Sequence, residues 1–238
     1  GQLIESMLLN VLNFESLVAT KAKRIRQACG SRGFAEFGLR RAQGWGALMA
    51  SRASCIGGAD STSNVMAAEK YGMHPSGTQA HSWIQSFPDE LTAFRTFAAI
   101  YGEQTILLVD TYDTLKSGIP NAITVAKEME SQGRHMKGIR LDSGDLAYLS
   151  KNARKMLDQA GLDHVKIVAS NQLNEQVIQS LLTEQEAPID AFGVGTELVS
   201  AKPDAALDGV YKLAEIEGDP RMKISENIQK LTLPGNKK

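Results

Sequence analysis

Short apolar stretches alternate with segments of helical periodicity along the chain, and this alternation restricts the fold more than any other feature. Apolar stretches that read as strands occur at Phe34–Leu39, Ala53–Gly57, Ile106–Val109, Gly138–Leu141, Val165–Ala169, Ala191–Val194 and Val210–Ile216. Helical periodicity occurs at Arg41–Ser51, Ser63–Tyr71, Leu91–Tyr101, Gly118–Gln132, Leu146–Ala160 and Asn174–Thr183. Such repetition predicts an α/β fold with a parallel sheet and right-handed crossovers. Repeated units without a G-x-G-x-x-G fingerprint favour a TIM-like β/α barrel over an open doubly wound sheet.

The chain length and composition predict one globular domain. The 238 residues suffice for a single α/β barrel domain with a lead-in helix over 1–30, barrel repeats over 31–216 and a tail over 217–238. A net charge of −1 gives no broad basic field for nucleic acid. Two cysteines and no apolar run of ~20 residues predict a cytoplasmic protein with no disulfide framework and no membrane partner. The first residue is Gly1, and an amphipathic helix starts almost at once, so we expect a piece of a longer protein.

The predicted strands end in polar and charged residues, and Gly138–Asp145 is the most informative example. This octet leaves an apolar strand with Arg140, Asp142, Ser143 and Asp145. The ends of other strands carry Arg40, Asp60, Asp110, Asp113, Ser170, Asn171, Gly193, Gly195 and Thr196. In a barrel the carboxyl ends of the strands meet on one face. Arginines, aspartates, hydroxyls and glycines together suit an anionic, phosphorylated ligand with a divalent metal ion.

Each of these residues also has a structural explanation. Arg140 and Arg40 hold phosphate or carboxylate well, but they could instead form salt bridges at the barrel mouth. The aspartates suit Mg²⁺, whereas Asp142 or Ser143 could simply cap the helix that starts at Leu146.

Two further motifs are open to more than one interpretation. Phe192–Thr196 resembles a phosphate cradle, although G-x-G-T alone is a weak signal. His81 follows a Gly-Thr turn and could be a base, a metal ligand or a phosphorylated nucleophile, or only a helix cap.

Five motifs in this order resemble the nicotinate phosphoribosyltransferase family. They are Glu36-Phe-Gly-Leu-Arg-Arg41, Gly77-Thr-Gln-Ala-His-Ser82, Leu108-Val-Asp-Thr-Tyr-Asp-Thr114, Gly138-Ile-Arg-Leu-Asp-Ser-Gly-Asp145 and Phe192-Gly-Val-Gly-Thr196. The resemblance implies a type II phosphoribosyltransferase barrel. It also implies synthesis of nicotinate mononucleotide and pyrophosphate from nicotinate and phosphoribosyl pyrophosphate in NAD salvage, coupled to ATP hydrolysis through a phosphohistidine, with Mg²⁺.

The resemblance also implies roles for individual residues. His81 is expected to be the phosphohistidine, with His81, Asp110 and Asp142 as catalytic residues. Thr78 and Arg140 are expected to contact the nucleotide, with Asp110 and Asp142 near the ribose and the Mg²⁺. Further expected substrate or phosphate contacts are Arg40, Asp60, Ser143, Ser170, Asn171, Gly193, Gly195 and Thr196.

The resemblance also implies an N-terminal domain and a C-terminal extension, which we do not expect within the 238 residues of this sequence. It further implies a homodimer whose site is completed by an aromatic residue from the N-terminal part. We therefore expect weak or no turnover from this chain. The alternatives are nicotinamide phosphoribosyltransferase and a non-catalytic barrel fragment. An isomerase or aldolase barrel is disfavoured because no lysine or glutamate stands at the expected strand ends.

Overall fold

Six parallel strands form the framework of the chain. The computed structural model describes residues 1–228 and 231–236. The strands are β1 (Gly33–Glu36), β2 (Ser61–Thr62), β3 (Ile106–Leu108), β4 (Gly138–Leu141), β5 (Lys166–Ser170) and β6 (Ala191–Val194). They lie in the order β2-β1-β6-β5-β4-β3, and every pairing between them is parallel. First and last strands are therefore neighbours, as barrel topology requires, and the sheet is a curled half-barrel.

An irregular segment, residues 74–79, lies between β2 and β3. The Thr62 amide donates to the His74 carbonyl at 3.1 Å, and the Ser76 amide donates to the Thr62 carbonyl at 2.9 Å. On the other side, the Leu108 amide donates to Gln79 Oε1 at 3.0 Å. This segment thus takes the place of a strand and bridges the open side of the half-barrel.

Helices follow the strands and cover the outside of the sheet. They are α1 (Gln2–Cys29), α2 (Gly46–Gly57), α3 (Val65–Tyr71), α4 (His81–Gln85), α5 (Glu90–Tyr101), α6 (Ile119–Glu130), α7 (Leu146–Gln159), α8 (Glu175–Gln179) and α9 (Thr196–Val199). A π-helical turn, Thr114–Gly118, leads into α6, and another, Ser180–Glu184, follows α8.

Strand side chains divide between a helix-packed core and the interior of the half-barrel. Leu107, Ile139 and Ile167 are in register on adjacent strands and are buried. Because side chains alternate between the two faces of a strand, Arg140 points the other way, into the half-barrel. Its register partner on β5 is Val168. Burial of the outer row holds the strands against the helices and leaves the inner row free to form a site.

Two predicted strands are wrong. Residues Ala53–Gly57 belong to α2, and β2 lies just beyond them at Ser61–Thr62. The small residues of this stretch serve close helix packing: a Cβ on Gly57 would lie 2.4 Å from the Ala19 carbonyl oxygen of α1. Within Val210–Ile216, only Glu215–Ile216 form a strand (β7), which pairs antiparallel with Asp219–Pro220 (β8) outside the barrel sheet.

The expectation that no segment is apolar enough to span a membrane also needs correction. Leu3–Cys29 of α1 meets that criterion by length and composition, because an 18-residue window within it has a mean hydropathy of 1.2. A helix that packs in a protein core passes the same test. In this chain, however, only 11% of the apolar window is buried. Burial is confined to the C-terminal half of α1, where Val18, Ala22 and Ile25 pack against the rest of the chain. Both cysteines are free thiols, and burial raises the pKa of Cys29 to about 11.

Candidate active site

Two adjoining cavities open where the strands end. The larger, about 360 Å³, is lined by residues that follow β1 and β4 and by the 74–81 region, including Arg40, His81, Arg140 and Asp142. The smaller, about 120 Å³, is also lined by Phe37, Arg40, Arg140 and Asp142. It adds Arg41, Ser170, Asn171, Gly193, Gly195 and Thr196. The predicted convergence of polar strand ends is therefore present in the structure.

Arg140 lies at the centre of the site and donates hydrogen bonds to three side chains. Its Nε donates to Ser170 Oγ at 2.8 Å, one terminal nitrogen donates to Thr78 Oγ1 at 2.8 Å, and the other to Asp142 Oδ1 at 2.8 Å. Its guanidinium carbon lies 5.3 Å from the centroid of the Phe37 ring. The salt bridge foreseen as the structural alternative is real, and the same guanidinium still lines both cavities. Its orientation is fixed by partners on three separate segments.

The four aspartates after β3 and β4 divide into two pairs with different roles. Asp145 Oδ1 accepts from the Tyr148 amide at 3.0 Å and caps α7, while Asp113 Oδ1 accepts from the Lys116 amide at 2.9 Å. Asp142 is therefore not the cap of α7. Asp110 and Asp142 instead lie side by side, since Asp110 Oδ2 accepts from the Asp142 amide at 3.0 Å. Capping is thus separated from the carboxylates that face the site.

Asp110 has one buried carboxylate oxygen that accepts no hydrogen bond from the described residues. Its Oδ2 is bound by the Asp142 amide and by the Ser143 hydroxyl. Its Oδ1 is buried and has no hydrogen-bond partner among the described residues. A buried carboxylate oxygen is costly to leave unpaired. Together with Asp142 it offers the oxygen donors that Mg²⁺ prefers, so these two residues fit the predicted metal ion.

His81 faces this pair of carboxylates. Its Nε2 lies 3.6 Å from Asp142 Oδ2 and 4.0 Å from Asp110 Oδ1. Its Nδ1 lies 3.0 Å from Thr111 Oγ1, which orients the ring. His81 is the first residue of α4, whose N-cap Ala80 provides no side-chain cap. The helix-cap interpretation of His81 is therefore wrong, and its Nε2 is directed toward the carboxylates.

The smaller cavity brings together the residues predicted to bind phosphate. Asn171 has a φ of 83°, in the left-handed region that few residues other than glycine adopt. Arg40 and Arg41 form no ion pair with a carboxylate in the part of the chain that the structure describes. Unpaired guanidinium groups beside a polar cavity are suited to an anionic ligand.

Sequence reasoning missed Phe37 and Gln79, which line the larger cavity. A Cβ on Gly193 would lie 2.3 Å from Phe37 Cδ2, so Gly193 makes room for this aromatic ring. Gln79 Oε1 holds β3, and its Nε2 is buried without a partner among the described residues. The signal for Phe37 was an aromatic residue between Glu36 and Gly38 at a strand end.

The structure does not bring Asp60 to the site. Asp60 precedes β2, and its carboxylate accepts from the Phe34 amide at 2.7 Å near the start of β1. It also forms an ion pair at 2.5 Å with Arg26 of α1. Asp60 therefore lies at the amino-terminal end of the strands, opposite Arg140. The prediction for Asp60 is wrong because Ala53–Gly57, which has the composition of a strand that would end near Asp60, belongs to α2.

Comparisons with known proteins agree with this architecture. The family model described as the nicotinate phosphoribosyltransferase (NAPRTase) family matches residues 33–237. A nicotinate phosphoribosyltransferase from Bacillus subtilis is 51% identical over 243 residues, which cover 100% of this chain and 49% of that protein. The chain spans about half the length of the curated relatives it matches.

Solved structures with a similar fold indicate the same family. The human nicotinic acid phosphoribosyltransferase superposes with a TM-score of 0.84 at 33% identity, covering 99% of this chain and 54% of that one. A Pyrococcus furiosus structure described as nicotinate-nucleotide pyrophosphorylase gives a TM-score of 0.81 at 31% identity, covering 96% and 56%. The chain therefore belongs to the nicotinate phosphoribosyltransferase family.

Proposed function

We propose that this chain is the barrel part of an enzyme that joins nicotinate to phosphoribosyl pyrophosphate in NAD salvage. The products are nicotinate mononucleotide and pyrophosphate. One observation carries the proposal: Arg140 is held by three side chains beside two carboxylates, and one of these has a buried oxygen that accepts no hydrogen bond within the described part of the chain. The names of the relatives support the same reaction.

Nicotinate recognition falls to Arg140 and Phe37 in this proposal. The guanidinium offers bidentate hydrogen bonds to a carboxylate, which distinguishes nicotinate from an uncharged amide. Phe37 offers a flat apolar face beside that guanidinium, at 5.3 Å from it. A pyridine ring against Phe37 would have its carboxylate within reach of Arg140.

Asp110 and Asp142 act at the reacting carbon. The pyridine nitrogen forms a bond to C1 of the ribose, while the bond from C1 to the pyrophosphate oxygen breaks and its electron pair leaves with pyrophosphate. Positive charge develops on the ribose, and nearby carboxylates stabilise it. A Mg²⁺ held by Asp110 and Asp142 would supply charge neutralisation for the departing pyrophosphate.

The 5′-phosphate is assigned to the smaller cavity. Gly193, Gly195 and Thr196 provide backbone amides and a hydroxyl there, with Ser170 and Asn171 on the adjacent strand end. Arg40 lies between this cavity and the larger one and can meet the charge of the phosphoribosyl group.

ATP coupling is proposed to act through His81. Because Nδ1 is engaged by Thr111, Nε2 is the nitrogen available for phosphorylation. A phosphate there would add about −1.5 to −2 charge beside Asp110 and Asp142, which favours Mg²⁺ at this position. Incubation with labelled ATP should give acid-labile protein phosphate that His81→Ala abolishes and His74→Ala retains. Equal labelling of His81→Ala would reject this role.

Calorimetry separates the proposed reaction from its alternatives. With Mg²⁺ present, we expect nicotinate mononucleotide to bind more tightly than nicotinamide mononucleotide, because only the former pairs with Arg140. The reverse order would indicate the nicotinamide enzyme, and no binding of either would indicate a non-catalytic barrel. Turnover by this chain alone is expected to be weak or absent, as in the sequence-based prediction.

A further inference from the structure

Two imidazoles and a carboxylate meet at the amino-terminal end of the strands, on the side away from the candidate active site. Glu130 is the last residue of α6, His135 precedes β4 and His164 precedes β5. Glu130 Oε1 lies 3.8 Å from His135 Nδ1 and 3.9 Å from His164 Nε2. One donor atom from each residue lies within 4.8 Å of the others. We propose that these three residues bind a divalent transition-metal ion of the zinc class.

The donor atoms face one another without bonding to one another. Separations of 3.8 and 3.9 Å exceed hydrogen-bond length. The two rings stand edge to face, with centroids 5.0 Å apart and an angle of 77° between their planes. His164 Nε2 is shielded from solvent and has no hydrogen-bond partner in the described part of the chain. A shared metal ion satisfies all three atoms at once.

The backbone around His164 fixes its position. Val165, the next residue, is buried. The Arg154 guanidinium of α7 donates to the carbonyl oxygens of Val165 and Leu162, each at 2.8 Å. His164 therefore sits on a turn held from both sides, which reduces the entropy lost when it binds an ion.

Glu130 and His135 are brought together by a tight turn at the end of α6. The Gly133 amide donates to the Glu130 carbonyl at 2.9 Å, and Gly133 has a φ of 71°. Met136, the residue after His135, is buried and anchors the far side of the turn. Because β4 and β5 are adjacent, with Gly138 opposite Lys166, this turn lies beside the one that carries His164.

The donor set selects the class of metal. Two nitrogen donors and one oxygen donor suit zinc and other divalent first-row transition metals, whereas Mg²⁺ and Ca²⁺ prefer oxygen donors. Zinc–nitrogen bonds of ~2.0–2.1 Å place tetrahedral ligand atoms about 3.4 Å apart. The two separations from Glu130 must therefore shorten by about 0.5 Å, and the two imidazole nitrogens, which lie within 4.8 Å of each other, must approach by at most about 1.4 Å. The His135 side chain is 66% exposed and free to make that shift. Three protein ligands leave the fourth position to water.

An ion here would join α6 to the turns that start β4 and β5. The carboxyl ends of the same two strands carry Arg140 and Ser170. The proposed ion is separate from the Mg²⁺ assigned to Asp110 and Asp142, and its expected effect is to stabilise the fold rather than to take part in the reaction.

Histidine NMR tests the proposal because the chain has only four histidines. Zinc chloride is added to the ¹⁵N-labelled chain in excess Mg²⁺. We expect the imidazole signals of His135 and His164 to shift and to saturate at about one ion per chain, with an increase in the thermal midpoint that EDTA reverses. The His74 signal should not move.

Three variants complete the test. His135→Ala and Glu130→Gln should lose the saturable shift of His164 and the rise in thermal midpoint. Neither residue is buried, so both variants should fold, which circular dichroism checks. The matched control, His74→Ala, should bind zinc like the unmodified chain. Zinc shifts confined to His81 or His74, or zinc uptake unchanged in both His135→Ala and Glu130→Gln, would overturn the proposal.

Discussion

Arg140 and Asp142, two residues apart at the end of β4, form an ion pair at 2.8 Å, and the amide of Asp142 donates to Asp110 Oδ2 at 3.0 Å. One guanidinium and two carboxylates are thereby linked at a strand end. Arg140 also donates to Thr78 and Ser170. The positions of the proposed nicotinate and ribose groups therefore depend on one another.

Replacing Arg140 with lysine should weaken nucleotide binding strongly while preserving the charge. An ammonium group cannot reproduce the three-directional pattern of donors to Thr78, Ser170 and Asp142. Loss of two charge-assisted hydrogen bonds, each ~1.5–3 kcal/mol, predicts at least a ~100-fold lower affinity for nicotinate mononucleotide by calorimetry. The exposed Arg95→Lys variant serves as the control. An affinity within about threefold of the unmodified chain would show that charge alone suffices.

Gly193→Ala should disturb the site through Phe37. The new Cβ would lie 2.3 Å from Phe37 Cδ2, so the ring must move. Overpacking of this kind typically costs ~1–3 kcal/mol. We expect a lower thermal midpoint together with weaker nucleotide binding. Gly46→Ala, whose Cβ would meet Phe14 at an ordinary 3.6 Å, should show neither effect. Tight nucleotide binding by Gly193→Ala would mean that the position of Phe37 does not matter.

Asp145→Ala and Asp142→Asn should separate capping from binding. Asp145 caps α7 through the Tyr148 amide, so its loss should cost ~1 kcal/mol of stability in urea unfolding and leave Mg²⁺-dependent binding unchanged. Asp142→Asn should reduce Mg²⁺-dependent nucleotide binding because it removes the charge of one of the two carboxylates proposed to hold the ion. If Asp145→Ala instead abolishes binding, the division of the aspartates into two roles is incorrect.

The site could be predicted at β4 because several local signals agree there. Gly138–Leu141 has the pattern of an apolar strand, and the polar residues Arg140, Asp142 and Ser143 mark the point where it ends. Parallel topology then brings the end of β5 to the same face, where Ser170 contacts Arg140. The contact of Thr78 with Arg140 comes from the irregular segment 74–79, and the sequence pattern predicts neither of these two contacts itself.

Other features depend on contacts that no local pattern contains. Ala53–Gly57 has the composition of a buried strand, but its small residues allow α2 to pack closely against α1. The strand prediction therefore places Asp60 at the wrong end of the sheet. Segment 74–79 has no strand pattern in its sequence. It is held in place by backbone hydrogen bonds to Thr62 and by the bond from the Leu108 amide to the Gln79 side chain. Such long-range pairings become visible only in the folded chain.

The ion pair between Lys21 of α1 and Glu175 of α8 should contribute to stability in a pH-dependent way. The two side chains approach to 2.7 Å and are 4% and 13% exposed. Burial tends to raise the pKa of Glu175, but the ion pair with Lys21, together with the backbone amide of Glu175 and the charge of Arg24, outweighs burial and holds the pKa below its usual value. The pair therefore stabilises the fold above the unfolded pKa of ~4.3, and this contribution is lost as pH falls through the lower folded value.

Lys21→Met should cost about 2–3 kcal/mol in urea unfolding at pH 7, somewhat less than a fully buried pair because Glu175 retains some exposure. The double variant Lys21→Met/Glu175→Leu should recover most of the loss, since it leaves no unpaired charge. Arg95→Met, which breaks an exposed pair with Glu128, should change stability little. A Lys21→Met variant as stable as the unmodified chain at pH 7 would contradict this account.

The most direct test of the proposed function is a crystal structure of the chain with nicotinate mononucleotide and Mg²⁺. The account predicts the pyridine carboxylate on Arg140, the 5′-phosphate beside Gly195 and Thr196, and the ribose near Asp110 and Asp142. A nucleotide bound elsewhere, away from Arg140 and Thr196, would contradict it.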